Sequence, residues 1–159
     1  NSDTKTPNKI IMKKGTILIF AAMMLMSISS FAQIGKITGK WYTIDEDGNR
    51  KSIVNIYKAP NGEYEGQIEK LLTGDVNRKC VECTGAKKGL RIAGMVVVTG
   101  MKVHGEKLSG GKILDPANGK EYSCTMTFDA KTGNLKVRGS LDKSGIIGRN
   151  QTWLRAENQ

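Results

Sequence analysis

Gly110-Gly-Lys-Ile-Leu-Asp-Pro-Ala-Asn-Gly-Lys-Glu-Tyr-Ser-Cys-Thr-Met-Thr-Phe128 reads as strand, turn and strand. From Tyr122 the residues alternate, with Tyr122, Cys124, Met126 and Phe128 on one side and Ser123, Thr125 and Thr127 on the other. That period of two marks a strand with one face in a core. Asp115-Pro116-Ala117-Asn118-Gly119 is a turn by its chemistry: proline fixes φ, Asn and Gly enter positive φ at least cost, and the Asp115 carboxylate accepts hydrogen bonds from nearby backbone N–H groups. A turn specified this closely sets the register of both strands beside it.

Comparable extended stretches precede this one. Residues 37–44 place Ile37, Gly39 and Trp41 on one side, and Asp45-Glu46-Asp47-Gly48-Asn49 ends the run as a polar turn. Residues 52–58 and 63–71 follow, separated by Pro60-Asn61-Gly62, so the first three strands form an antiparallel meander. Leu72 to Arg91 breaks the spacing with a polar insertion holding Cys80-Val81-Glu82-Cys83, and a loop that long in a small domain tends to be functional or covalently tied. Strands are expected at 92–103, with Gly94 and Gly100 as bend points, and at 107–114. Beyond residues 121–129 lie 135–141, with Leu135, Val137, Gly139 and Leu141 inward, and 148–155, carrying Trp153.

Eight short strands and no helical period longer than a turn ask for an all-β sandwich or barrel. Closure removes unpaired edges. The expected architecture is therefore an eight-stranded antiparallel up-and-down barrel, whose interior is just wide enough for side chains or one small ligand.

Toward the N-terminus, Met12-Lys-Lys-Gly-Thr, the apolar run Ile17 to Met26 and the small residues Ser30 and Ala32 have the three parts of a secretory signal peptide cleaved after Ala32. The competing reading, an uncleaved anchor, suffers from a run too short to span a bilayer comfortably. No cysteine stands just after the cleavage site for lipid attachment, since the first is Cys80. The chain thus divides into a disordered upstream extension, 1–11, a signal peptide, 12–32, and one β-barrel domain, 33–159, that is exported to the periplasm or the extracellular space and does not span the membrane.

The formal charge of the chain is +10, and losing Lys5, Lys9, Lys13, Lys14 and Asp3 with the leader lowers it to +7. That charge favours an anionic envelope surface or an acidic ligand, although lysines scattered over strands and turns are also what a solvated surface carries. Nucleic acid is excluded as a partner, because no basic cluster is interleaved with stacking aromatics.

Gly39-Lys40-Trp41, the Cys80-x-x-Cys83 loop, Gly110 to Pro116 with Asn118-Gly119-Lys120 and Tyr122, Val137-Arg138-Gly139, and Gly148-Arg149-Asn150-Gln151-Thr152-Trp153 together resemble the small exported bacterial proteins grouped as domain of unknown function 2147. The resemblance covers essentially all of residues 33–159. It implies a lipocalin-like barrel and no particular activity. In lipocalin-like barrels an arginine near the last strand lies across the first-strand tryptophan and plugs the closed end. Arg149 or Arg155 could do so for Trp41, which makes Trp41 structural rather than a ligand contact.

Cys80 and Cys83 in an exported protein are read as a disulfide that stiffens the loop. Cys124 is the alternative partner, and one of the three thiols is left over in any case. A redox-active pair would want a helix N-terminus, and no such helix is indicated. Cys80, Cys83, Cys124 and His104 make a Cys₃His set on paper, but their spacing is not that of a metal site. His104, the only histidine, stands beside Gly105 in a turn. No serine, histidine and acid fall at a catalytic spacing, and Asp115 is explained as a turn residue. The expectation is a protein that is no enzyme and carries no cofactor or metal. Its barrel takes a small hydrophobic or amphipathic ligand lined by Tyr64, Tyr122, Met126 and Phe128, with the Cys loop as a lid. The rival expectation is a barrel packed solid that binds envelope partners through its basic surface and the Ile146-Ile147 tip.

Overall fold

A computed structural model describes residues 32–142 and 147–156. The upstream extension, the signal peptide up to Phe31 and the tip residue Ile146 lie outside these. Among the described residues the strands run β1 Gly39–Ile44, β2 Arg50–Lys58, β3 Tyr64–Leu71, β4 Val96–His104, β5 Lys107–Asp115, β6 Lys120–Asp129, β7 Asn134–Ser140 and β8 Gly148–Arg155. Each pairs antiparallel with the next, and β8 returns to β1, closing an all-β barrel. The closing seam is short: Trp41 opposes Arg155 and Tyr42 opposes Leu154. The Ala156 N–H extends it by donating to the Lys40 carbonyl.

The alternation seen in the sequence becomes an inside and an outside. Ser52, Val54 and Ile56 on β2, Cys124 and Met126 on β6, and Leu135 and Val137 on β7 are buried, while their neighbours are more exposed. The Asp115 turn forms as its residues require. The Asp115 carboxylate accepts from the Ala117 N–H at 2.9 Å, and its carbonyl accepts from the Gly119 N–H at 2.8 Å. Because the strands run up and down, the hairpins β2–β3, β4–β5 and β6–β7 gather at one end. The β1–β2 and β5–β6 turns, the Cys loop between β3 and β4, and the β7–β8 connection gather at the other.

Three expectations are corrected. Ile37 is not in the first strand: residues 32–37 are helical, and this turn drops Ile34 and Ile37, both buried, into the base of the barrel. β4 begins at Val96 rather than at Ile92, because Ile92 to Met95 fold as a turn in which the Met95 N–H donates to Ile92 and the Gly94 N–H to Ile68. Leu141 lies beyond the end of β7 and is exposed rather than inward.

The middle of the barrel is tightly filled. Trp41, Val54, Ile56, Val98, Met101, Leu108, Met126, Leu135 and Trp153 are all essentially without solvent contact. Gly66 on β3 faces inward where Ile56 and Val98 close over it, and a Cβ there would stand 2.8 Å and 2.9 Å from them. Packing of this density is that of a core, with no slack for a bound molecule at this level.

Candidate functional site

The base is sealed by two aromatics, one cation and one helical turn. Trp41 donates from Nε1 to the Ile37 carbonyl at 2.8 Å. Phe128 packs against it with ring centroids 6.5 Å apart and planes tilted by 57°. The Arg155 guanidinium carbon lies 3.7 Å from the centroid of the Trp41 ring. Arg155 also donates from Nη1 to the Thr38 carbonyl at 2.9 Å and from Nη2 to that of Lys36. Partial burial lowers the pKa of this guanidinium from its ordinary value. Of the two arginines, Arg155 is the plug. Arg149 instead reaches the β1–β2 turn, where Nη2 meets Glu46 Oε1 at 2.5 Å with both side chains largely in solvent.

At the opposite end the Cys loop covers one side. The Cys loop folds back on itself: Cys80 donates to Leu90, Gly89 to Cys80 and Ile92 to Arg78, and a single 3₁₀ turn spans Gly85–Lys87. Cys80 and Cys83 are disulfide-bonded, with Cα atoms 5.4 Å apart. Both are buried, together with Leu71, Ile92, Met95 and Leu114 beneath the loop. The loop also seats against the Asp115 turn, with Cys80 Sγ 3.3 Å from the Pro116 carbonyl oxygen. A disulfide sulfur has no proton, so this is a packing contact rather than a hydrogen bond.

On the other side, among the described residues, the inward face of β8 becomes exposed toward this end. Register fixes which β8 residues face in: Trp153 opposes Leu135, Gln151 opposes Val137 and Arg149 opposes Gly139. Leu135 and Val137 are core residues. Trp153 is 2% exposed, whereas Gln151 and Arg149, the next two inward positions, are exposed. Trp153 Nε1 donates to Gln151 Oε1 at 3.0 Å, joining the buried ring to the open rim. Across β7 and β6, Gly139 leaves a space bordered by Tyr122 and Ile113, which a Cβ would meet at 3.5 Å and 3.7 Å. Both are half-buried. The Tyr122 hydroxyl accepts from Asn118 Nδ2 at 3.1 Å. On the β1–β2 wall, Thr43 and Ser52 share a hydrogen bond of 2.6 Å. Among the described residues this end therefore presents polar groups above an apolar layer, an arrangement we call the cup.

The four residues expected to line a pocket are therefore not gathered in one place. Tyr122 is on the wall of the cup. Met126 is sealed in the filled middle, and Phe128 and Tyr64 lie toward the base, at the end of β6 and the start of β3. An open recess of about 420 Å³ beside Phe128 lies outside the barrel, lined also by Gln33, Thr127, Asp129, Ala130, Lys131 and Lys136. The Lys136 ammonium there, 3.0 Å from Asp129, holds that carboxyl below its usual range. Gln151, Gly139, Ile113 and the Thr43–Ser52 pair were not among the lining residues expected from sequence. The available signal was the alternation Arg149, Gln151, Trp153 on the inward face of the last strand.

The thiol and metal alternatives are not assembled. Cys80 and Cys83 bond to each other, and Cys124 stays inside the barrel, where burial pushes its thiol up to about 12. His104 is on the β4–β5 hairpin at the base, its Nδ1 3.0 Å from Ser109 Oγ. Among the described residues, no group of three or more His, Cys, Asp and Glu is placed to hold a metal ion, and no helix is long and apolar enough to cross a membrane.

A family model described as an uncharacterized protein conserved in bacteria (DUF2147) matches residues 39–155. Among solved structures, the chain is similar to protein HP1028 from the human pathogen Helicobacter pylori, described as belonging to the lipocalin family. Identity is 22% and the TM-score 0.67, over 77% of this chain and 84% of that one. A likeness at that identity speaks for a shared lipocalin-like fold. No curated protein matches the chain.

Proposed function

The chain belongs to the DUF2147 family of bacterial proteins, and from a lipocalin-like barrel solid at its base and open beside Gln151 we propose an exported, non-enzymatic binding protein for a small apolar or amphipathic molecule. The carrying observation is the step along β8 from a sealed Trp153 to an exposed Gln151, two inward positions of one strand. Barrels of this strand number hold side chains or one small ligand; here the side chains fill the base, and the ligand would sit above Trp153. The apolar floor of Trp153, Val137 and Ile113 would take a hydrocarbon or ring. Gln151, the Tyr122 hydroxyl and the Arg149 guanidinium would meet a polar or anionic head group, the mixture of apolar lining and few polar groups that orients ligands in pockets. The filled middle of the barrel sets the size: a head and a short apolar part, not a long chain threaded down the axis.

Native mass spectrometry of protein purified from its own cells, followed by titration of the stripped protein with short- and medium-chain amphiphiles while Trp153 fluorescence is followed, tests the reading. A retained small molecule, or saturable quenching that is lost in Gln151→Leu, supports it. Protein that leaves its cells empty and shows no saturable response to any amphiphile overturns it, and leaves the solid barrel as the better account.

A further inference from the structure

The large apolar side chains left in solvent are concentrated at one end of the barrel. Val76, Val81 and Leu90 project from the Cys loop, and Leu141 and Ile147 flank the β7–β8 connection; among the described residues only Val103 is at the base. Strand order puts these two groups on opposite sides of the mouth, four strands apart round the barrel. The Cys loop holds its members out. Val81, 67% exposed, sits inside the small ring closed by the Cys80–Cys83 bond, and the buried cysteines pin that ring from below. The same loop carries Arg78, Lys79, Lys87, Lys88 and Arg91 against Asp75 and Glu82.

We propose that this end of the barrel docks on an anionic lipid surface, with Val81, Leu90, Leu141 and Ile147 entering the interface and the cations of the Cys loop lying among the head groups. Apolar tips on two separate loops form no groove, so one partner must reach both sides of the mouth at once. A bilayer does so: it is broad and flat, negatively charged at the surface and apolar just beneath. The third loop at this end bears Asp45, Glu46 and Asp47. Asp45 is occupied by the N–H groups of Asp47 and Asn49, and Glu46 is paired with Arg149. Docking is therefore tilted away from that turn, toward the β5–β6 turn across the mouth, a direction that keeps both apolar groups in the interface. The contact does not require the barrel to hold a ligand.

The test uses the protein as its own cells process it, with no added ligand, and vesicles of phosphatidylglycerol or phosphatidylcholine. An environment-sensitive fluorophore attached at Leu90→Cys or Leu141→Cys is expected to shift to the blue on phosphatidylglycerol vesicles, and one at Val103→Cys is not. Binding is expected to fall as salt rises, and Leu90→Ser with Leu141→Ser to weaken it by about tenfold or more. A label at position 103 that responds as strongly, equal binding to phosphatidylcholine, unaltered binding of the double serine variant, or no vesicle binding at all overturns the proposal. Ligand titration without vesicles reads the binding cup separately, so the two failures cannot be confused.

Discussion

Arg155, the last residue of β8, lies over Trp41 of β1, its guanidinium carbon 3.7 Å from the ring centroid, and caps the carbonyls of Thr38 and Lys36 with its two Nη groups. One side chain thus ties the barrel seam to the helical turn that closes the base. The seam itself has only two opposed pairs, so this tie has an outsized share in it. Arg155→Ala should lower stability by about 1–3 kcal/mol, from a cation–π contact of ~0.5–2 kcal/mol and the lost charge-assisted bonds, discounted for partial exposure. Trp41→Ala should cost about 3–5 kcal/mol through its cavity. Because each residue loses its partner when the other goes, the double variant should cost less than the two single costs together. Urea unfolding of the four proteins measures this, and strictly additive costs would show the contact to be idle.

Gly119 is where the lid meets the barrel. Its φ is +69°, and a Cβ there would stand 1.9 Å from the carbonyl oxygen of Glu82 in the Cys loop. Gly119→Ala therefore carries both a left-handed backbone cost of about 1–2 kcal/mol and a clash with backbone. The cheaper relief is for the loop to lift. Cleavage by trypsin at Lys79, Lys87 or Lys88 should speed up markedly, while Gly133→Ala, equally left-handed but with open space around it, should lose some stability and leave the cleavage rate alone. Equal proteolysis of the two variants would mean that the loop is not held by the turn.

Much of this arrangement was readable from residue order, and the misreadings have physical causes. The Asp115 turn and the alternation after Tyr122 are local, so β6 and its hairpin were legible. Ile37 was not, because Ile37, Gly39 and Trp41 have the spacing of a strand. The helical turn that ends there exists only because the barrel base needs a plug. Ile92 looked like the start of a strand for the same kind of reason: its burial comes from the loop folding over it. Alternation also says which face a residue is on but not at what height. Tyr122, Met126 and Phe128 share a face and end up in the cup, the filled middle and the base. Arg149 and Arg155 likewise share the inward face of β8, and only the pairing of Trp41 with Arg155 decides which of them lies over the ring.

Cys124 faces the interior between Gly111 and Gly139, and burial pushes its thiol up to about 12, above the usual thiol range. A thiol so placed should resist alkylation in the folded protein at neutral pH and react once the chain is unfolded with the disulfide intact. The sign of the pH effect follows. A folded pKa above the unfolded one leaves stability whole below about pH 9 and withdraws it progressively as pH rises toward 12. Cys124→Ala should be less stable at pH 7, through the space it leaves, yet show a shallower loss between pH 9 and 11. If both proteins lose stability in parallel across that range, the thiol is not the titrating group.

The cup and the base make opposite demands on substitution, which allows the binding reading to be separated from general damage. Arg149 is in solvent, so Arg149→Ala should change stability by no more than about 0.5–1 kcal/mol, whereas Gln151→Leu should cost about 1–3 kcal/mol because the buried Trp153 Nε1–H loses its acceptor. Each removes a polar group from the rim, so each should weaken an amphiphile with an anionic head by about three- to thirtyfold, in line with ~0.5–2 kcal/mol for one hydrogen bond or partly exposed charge. Phe128→Ala and Tyr64→Ala lie at the base, away from the cup. They should cost stability, more at Phe128 because it packs on Trp41, and leave affinity where it was. Tyr122→Phe is the finest probe: the ring and its packing remain, and only the hydroxyl paired with Asn118 goes. A ligand whose head group meets that hydroxyl should lose several-fold in affinity with no change in unfolding midpoint. Were Phe128→Ala to weaken binding while Gln151→Leu and Tyr122→Phe did not, the ligand would have to sit at the base, in the recess beside Phe128, and the cup would be only an unfilled end of the barrel.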